Sequence, residues 1–409
     1  MEMQVNKEYQ ESKEMLPKRH ETQKFVTAPE SVYDKYYASG DYRPEYKLNA
    51  NLQEADIDMI VHAFSRFDVW DVPVGKGDLS MPRRSIFEMR IPTDPEELTH
   101  RVDAYKQSDA QEAFLLDQVL KMHKIGILSE CDHCRCYCPA LAVNKPGAPP
   151  GVWRFAHDLR PVNAKTIMDY FGLPDPCDMA YRMAGAYFIK EFDFASGYWQ
   201  IRLHVDDRYK TAFRLRDGRT FMWNVAPMGL NLSGVKFCRF VMTKVVGDLL
   251  HVTVEAFSDN VFVFTKVPCL KTHIRHCCEF LERVEKANMV LKATKCHIAA
   301  QSLNIVGWVI SKEGMQVNPE KLQAIRDYQM PLSRTAVRRL LGMANQYRKQ
   351  IRGYADIVDP LTKMTRKEHP AKWSLDQVTE GARAAFLKLK EVLQQPPVWQ
   401  FQKATWDTG

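Results

Sequence analysis

Asp259 sits on the polar tip Ser258-Asp259-Asn260, between two apolar runs at residues 254–257 and 261–264. That pattern reads as a β-hairpin with an acid on its turn. Asp193 closes a second acidic strand, residues 187–194, ahead of the turn-like Ala195-Ser196-Gly197 and the aromatic Tyr198-Trp199-Gln200-Ile201. Asp and Asn are also ordinary turn residues that tolerate left-handed backbone, so the hairpin tip alone carries little. The pair carries more. An acid at a strand end facing an acid at a hairpin tip can hold divalent cations against phosphate oxygens.

Three other groups of residues have the types for chemistry. Cys131, Cys134, Cys136 and Cys138 form the densest cysteine cluster, with His133 among them. It reads either as a zinc site or as a reduced, partly buried loop, and no second ligand pair follows at finger-like spacing. Strands at 139–143 and 152–160 flank the loop 144–151 and make a hairpin on which Lys145, Arg154 and Arg160 suit a polyphosphate, although such residues are more often a solvated face. Residues 334–351 form an expected helix, apolar at Leu340, Leu341, Ala344 and Tyr347. Its other face is basic at Arg334, Arg338, Arg339, Arg348 and Lys349, and suits a phosphate backbone or water.

The elements that must position these residues follow from pattern. The chain has 409 residues, 45% hydrophobic and 26% charged, which suits an ordinary globular protein of two or three subdomains. No run of 18 uncharged apolar residues exists to span a membrane, and residues 1–19 lack the apolar core of a secretion signal. The net charge of +7 permits a nucleic-acid partner without requiring one, and the ten cysteines are expected to be reduced. Residues 1–85 read as a leader or linker with one amphipathic helical turn at 57–64. A helix capped by Ser108-Asp109 runs to Gly126. A hairpin around Asp217-Gly218 is expected from residues 206–215 and 220–225, then a helix over 233–250 and another over 273–288. Strands are expected at 290–298 and 303–311, and helices beyond Pro319.

The acidic strand ending Phe192-Asp193-Phe194-Ala195-Ser196-Gly197-Tyr198-Trp199-Gln200-Ile201 closely resembles the first catalytic motif of retroelement reverse transcriptases. Further blocks match in the family's order: Trp153-Arg154 with Asp158-Leu159-Arg160-Pro161-Val162-Asn163, then Lys210-Thr211-Ala212-Phe213, Pro227-Met228-Gly229-Leu230, and Ile305-Val306-Gly307-Trp308. Arg338-Arg339-Leu340-Leu341-Gly342-Met343-Ala344-Asn345-Gln346-Tyr347-Arg348 is similar to the thumb and connection of gypsy-type LTR retrotransposon Pol polyproteins. The resemblance implies an α+β right-hand polymerase fold. Fingers and the start of the palm would cover 86–185 and the palm 186–312, an antiparallel sheet backed by helices. Helical thumb and connection would fill 313–400, and a truncated ribonuclease H-like start 401–409. It implies two Mg²⁺ or Mn²⁺ ions on Asp193 and Asp259, with the triphosphate met by Lys145, Arg154, Tyr198, Phe194, Met228 and Gly229. Tyr198 would be the gate against a 2′-hydroxyl, and Lys295 a proton donor to pyrophosphate. Gly307, Trp308, Arg338, Arg339 and Arg348 would meet primer and template. Partners would be an RNA or DNA template with primer and deoxynucleoside triphosphates, with no membrane, and a homodimer as an assembly state. The compartment would be the cytoplasm, within virus-like particles, or the nucleus, not the secretory route.

One departure matters. The family's tip is Tyr-x-Asp-Asp, whereas this chain has Phe257-Ser258-Asp259-Asn260. A neutral amide at 260 removes a negative charge beside two cations, enough to slow the reaction on the order of a hundred- to a thousandfold. Two readings follow: an RNA-directed DNA polymerase handicapped by Asn260, or a decayed or domesticated fold that binds nucleic acid or protein without catalysis.

Overall fold

The computed structural model describes residues 24–38, 42–72, 83–172, 174–305 and 307–393. The N-terminal end of the expected leader and the whole 401–409 segment lie outside them.

A six-stranded sheet forms the centre, in the order Phe25–Val26, Lys47–Asn49, His297–Ala300, Phe188–Asp193, Asn260–Thr265, Val254–Phe257. Every neighbouring pair is antiparallel except Lys47–Asn49 with His297–Ala300. Side chains alternate across a strand, so Phe192 and Val263 point to one face, against the helix Leu270–Lys286, where the Phe192 and Phe280 rings are 5.0 Å apart. Ile189, Phe262 and Phe264 point to the other, a second core shared with the helix Pro176–Met183. Asp193 lies on this second face, two pleats beyond Glu191 and directly across from Asn260.

A five-stranded sheet stands beside it, ordered Leu128–Glu130, Thr220–Trp223, Phe213–Arg214, Cys138–Asn144, Trp153–His157. The helix Asp109–Lys124 covers it and begins at a reciprocal cap, Ser108 Oγ accepting from the Gln111 amide while Gln111 accepts from that of Ser108. After the central sheet come three antiparallel strands, Ser302–Ile305, Trp308–Ser311 and Gly314–Val317. Four helices follow, Pro319–Arg326, Arg334–Asn345, Tyr354–Lys363 and Glu380–Val392, joined in the second core. No helix among the described residues is long and apolar enough to cross a membrane.

Several expectations change. Residues 25–70 are not a detached leader. Their two strands extend the central sheet, and Val32, Tyr46, Leu48, Ile60 and Phe64 are buried in its first core. Charge density hid this, because short apolar runs are broken up by charged and polar residues. Residues 205–211 coil into a 3₁₀ helix instead of opening a strand. There Asp207 pairs with Lys210 one turn on, with Arg90, and with the Ile91 amide, and that buried network favours a turn. Within 290–298 only the end is strand; Leu291 makes isolated bridges to Trp70 and Phe194. The strand expected at 303–311 is a hairpin that reverses at Gly307, whose φ of +89° suits glycine.

One ion pair braces the hairpin. Glu255 is fully buried on its outer strand and accepts from Arg182 Nε at 2.5 Å and Nη2 at 3.1 Å, with His251 Nδ1 at 3.1 Å. Arg182→Ala leaves that carboxylate without its guanidinium. The expected loss is about 3–5 kcal/mol of folding stability, read as a lower midpoint in urea unfolding.

Candidate active site

The site is built where two strand ends meet. Backbone pairing sets Asn260 opposite Asp193, and the turn through Ser258, with φ of +57°, carries Asp259 just beyond. Ser258 is held in turn: its carbonyl accepts from the Cys238 thiol at 3.5 Å, from the helix Asn231–Phe240. The Asp193 side chain is 14% exposed and its Oδ2 lies 3.1 Å from Lys295 Nζ. Burial raises the Asp193 carboxyl above the usual range. Lys295 pulls it back, and the nearby Asp259 charge adds to the rise. A raised acid binds its proton more readily folded than unfolded, so it subtracts stability as pH climbs through the ordinary carboxylate range. Asp158 has the opposite sign. Arg160 and Tyr105 hold its carboxyl well below that range, so its contribution is present at neutral pH and lost on acidification.

The loop after Asp193 is locked by a residue that sequence reading did not single out. Gln200 is fully buried; its Nε2 donates to the carbonyls of Ala195 at 2.8 Å and Val290 at 2.9 Å, and its Oε1 accepts from the Val290 amide at 2.9 Å. With the Lys292 amide on the Asp193 carbonyl at 2.8 Å, segment 290–292 straps the strand end in place. Gln200→Leu keeps the volume but leaves these groups unpaired. We expect a loss of about 2–4 kcal/mol in denaturant unfolding. The only sequence signal was a polar residue in an otherwise apolar-aromatic run.

Tyr198 stands beside the hairpin tip. Its ring meets Phe237 edge-on at 5.6 Å, and a Cβ at Gly234 would approach its hydroxyl to 3.3 Å. Gly234 is thus a positioning residue, and any larger side chain there would push the ring. Gly197 is equally constrained, since a Cβ would lie 2.8 Å from the Phe237 ring.

Other expected contacts fall elsewhere. Phe194 is 2% exposed and packs on Phe237 in the core, so its side chain cannot face a nucleotide. Trp308 is 1% exposed and meets Tyr347, just past the helix Arg334–Asn345, edge-on at 5.5 Å, so its ring is packed in the second core instead of lining a primer. Gly307 backs onto Gln346. Met228 is exposed. The Gly229 carbonyl accepts from Asn163 Nδ2 at 2.8 Å, and Asn163 Oδ1 accepts from the Asn231 amide at 2.9 Å, so Asn163 pins this turn between the two sheets. Lys145 and Arg154 are both exposed on the Cys138–Asn144/Trp153–His157 hairpin, Arg154 across from Val143, without an ion pair among the described residues. Arg160 is engaged by Asp158 and so is not free for a polyphosphate. Arg338, Arg339 and Arg348 are exposed on the thumb; Arg338 also donates to the Thr365 carbonyl at 2.9 Å.

The cysteine cluster does not assemble a metal site. Cys131 and Cys134 are bonded to each other, against the expectation of reduced thiols, while Cys136 and Cys138 are buried in the fingers core. No group of three or more metal-ligand side chains gathers among the described residues.

Central sheet, flanking fingers sheet and helical thumb define a right-hand polymerase fold, with its acids at the palm strand ends. Residues 143–344 match the family model described as reverse transcriptase (RNA-dependent DNA polymerase). The chain is 26% identical over 282 residues to the Transposon Tf2-7 polyprotein of Schizosaccharomyces pombe, a match covering 69% of this chain and 20% of that polyprotein; the Tf2-3 polyprotein matches to the same extent. Among solved structures, the foamy viral protease-reverse transcriptase in complex with dsDNA superposes with a TM-score of 0.67 and 18% identity, over 90% of this chain and 73% of that one. Its complex with RNA/DNA hybrid gives 0.65 and 16%, over 91% and 48%. At those identities the likeness shows the fold.

Proposed function

We propose that this chain is the RNA-directed DNA polymerase part of a gypsy-type LTR retrotransposon, extending a primer 3′-hydroxyl with deoxynucleoside triphosphates. The observation that carries the reading is the meeting of Asp193 and Asp259 at adjoining strand ends with Tyr198 fixed beside them. The donor set fits Mg²⁺ or Mn²⁺: two carboxylates and the Asn260 amide oxygen are hard oxygen ligands, and substrate phosphates supply the rest. Two such ions, when bound, activate the attacking hydroxyl and neutralise the departing phosphate charge.

The chain's own residues do the remainder. Asp193 and Asp259 fix where the cations sit. Lys295 pairs with Asp193 at 3.1 Å and would be the proton donor to the leaving group. Lys145 and Arg154 offer exposed charge on a hairpin for the triphosphate, and Arg338, Arg339 and Arg348 line the thumb for a phosphate backbone. The test is primer extension on an RNA template with Mg²⁺ or Mn²⁺; no extension in either metal, with primer–template still bound, would leave the binding-scaffold reading. That second reading is favoured by one observation, the neutral Asn260 directly across from Asp193.

Tyr198 also makes a prediction. If its ring blocks a 2′-hydroxyl, Tyr198→Ala should raise ribonucleotide incorporation relative to deoxynucleotide by roughly ten- to a hundredfold, as expected for removing one steric discriminator worth ~1–3 kcal/mol. Single-nucleotide insertion kinetics with paired substrates read it directly.

A further inference from the structure

The Cys131-Asp132-His133-Cys134 loop plays no part in nucleotidyl transfer. It closes on itself through a disulfide at the edge of the fingers sheet, where the Cys131 amide donates to the Thr220 carbonyl at 2.9 Å. Both cysteines are partly exposed, and Asp132 and His133 between them are exposed. The loop borders a surface depression of about 690 Å³ lined by Arg101, Arg135, Arg214 and Arg219 together with the acids Glu130, Asp132 and Asp217. Arg135 is held by Glu97 at 2.8 Å and Arg219 by Asp217 at 2.6 Å, while Arg214 stacks over Tyr137. Guanidinium groups stay charged at any physiological pH, and a cationic setting favours thiolate over thiol.

The next two cysteines give the contrast. Cys136 and Cys138 are buried two and four positions on, and burial pushes their thiols up to about 11 and about 12. Burial leaves those two thiols inert. One short run therefore carries an accessible, cation-flanked pair and a sequestered one.

We propose that Cys131 and Cys134 form a reversible two-electron thiol–disulfide couple on the fingers surface, exchanging with small or peptide thiols of the glutathione class. A donor thiolate attacks one sulfur of the Cys131–Cys134 bond, making a mixed disulfide and releasing the other cysteine as a thiolate. A second donor thiolate then attacks the donor sulfur of that mixed disulfide. The products are one oxidised donor pair and the free dithiol, with the two donor protons ending on the cysteines. The Arg-lined wall stabilises the thiolate released in each step.

The test equilibrates the whole chain in graded mixtures of reduced and oxidised glutathione, quenches in acid and alkylates. The peptide holding both residues is then weighed. It should pass from no labels to two in one transition while Cys136 and Cys138 stay unlabelled until denaturation. The reduced pair should alkylate with a pH profile lying below that of an ordinary thiol, and the double variant Arg135→Gln/Arg214→Gln should slow alkylation at pH 7 threefold or more. Two labels at every buffer ratio would overturn the proposal, as would a disulfide that resists reduction until the protein unfolds. Stoichiometric protection of the reduced pair by added zinc would overturn it too, making the loop a metal site.

Discussion

Asp193→Asn should abolish primer extension, lowering the rate at least roughly a thousandfold while leaving primer–template binding within about threefold of wild type. The substitution is nearly isosteric, and the Asp193 carbonyl keeps its bond to the Lys292 amide, so the strand end stays where it is. What goes is a full negative charge at a partly buried position whose ion-pair partner among the described residues is Lys295. A cation there would face Asp259 alone. Folding gives the second readout: burial disfavours the Asp193 carboxylate, so the amide should be neutral or slightly stabilising above the ordinary carboxylate range. A variant that is more stable, still binds nucleic acid and does not extend would separate the chemical role from a structural one. Extension at a wild-type rate would remove Asp193 from the site.

Asn260→Asp should raise extension in Mg²⁺, on the order of a hundredfold, and narrow any advantage of Mn²⁺ over Mg²⁺. Pairing places residue 260 straight across from Asp193, on the same sheet face. A carboxylate added there concentrates three acids at one strand junction. It repels Asp193 when the site is empty of cations, and attracts metal for the same reason. The gain in rate should therefore come with a loss of stability in metal-free buffer that added Mg²⁺ restores, measurable by thermal unfolding with and without the ion. Equal wild-type rates in both metals would argue that Asn260 is no handicap.

How much of this was legible beforehand depended on whether a residue's role was local. The hairpin at Asp259, the acidic strand at Asp193, the Ser108 cap and the basic helix all announce themselves over a few neighbours, and the structure contains each element. Phe194 and Trp308 were misplaced because a motif gives order along the chain, whereas which side of the strand a ring takes depends on what packs behind it. Gln200, Asn163 and Gly234 act chiefly through partners distant in sequence, such as Val290, Gly229 and Tyr198. Nothing near them shows that. The Cys131–Cys134 bond was hidden for another reason: the same spacing serves zinc, a free dithiol or a disulfide.

The strands at Phe25–Val26 and Lys47–Asn49 change how this protein must be made. Lys47–Asn49 pairs with His297–Ala300, and the Asn49 side chain bonds the Ala299 carbonyl across 250 positions of sequence. A ribosome would have to deliver residues up to about 300 before the early segment could find its place, leaving its apolar side chains in search of cover meanwhile. Closing so long a loop is slow, and waiting segments invite misassembly. A piece beginning at residue 83 would lack that edge and leave the His297–Ala300 strand without its outer neighbour. Expressed alone it should aggregate, whereas supplying residues 24–72 as a separate chain should rescue its solubility.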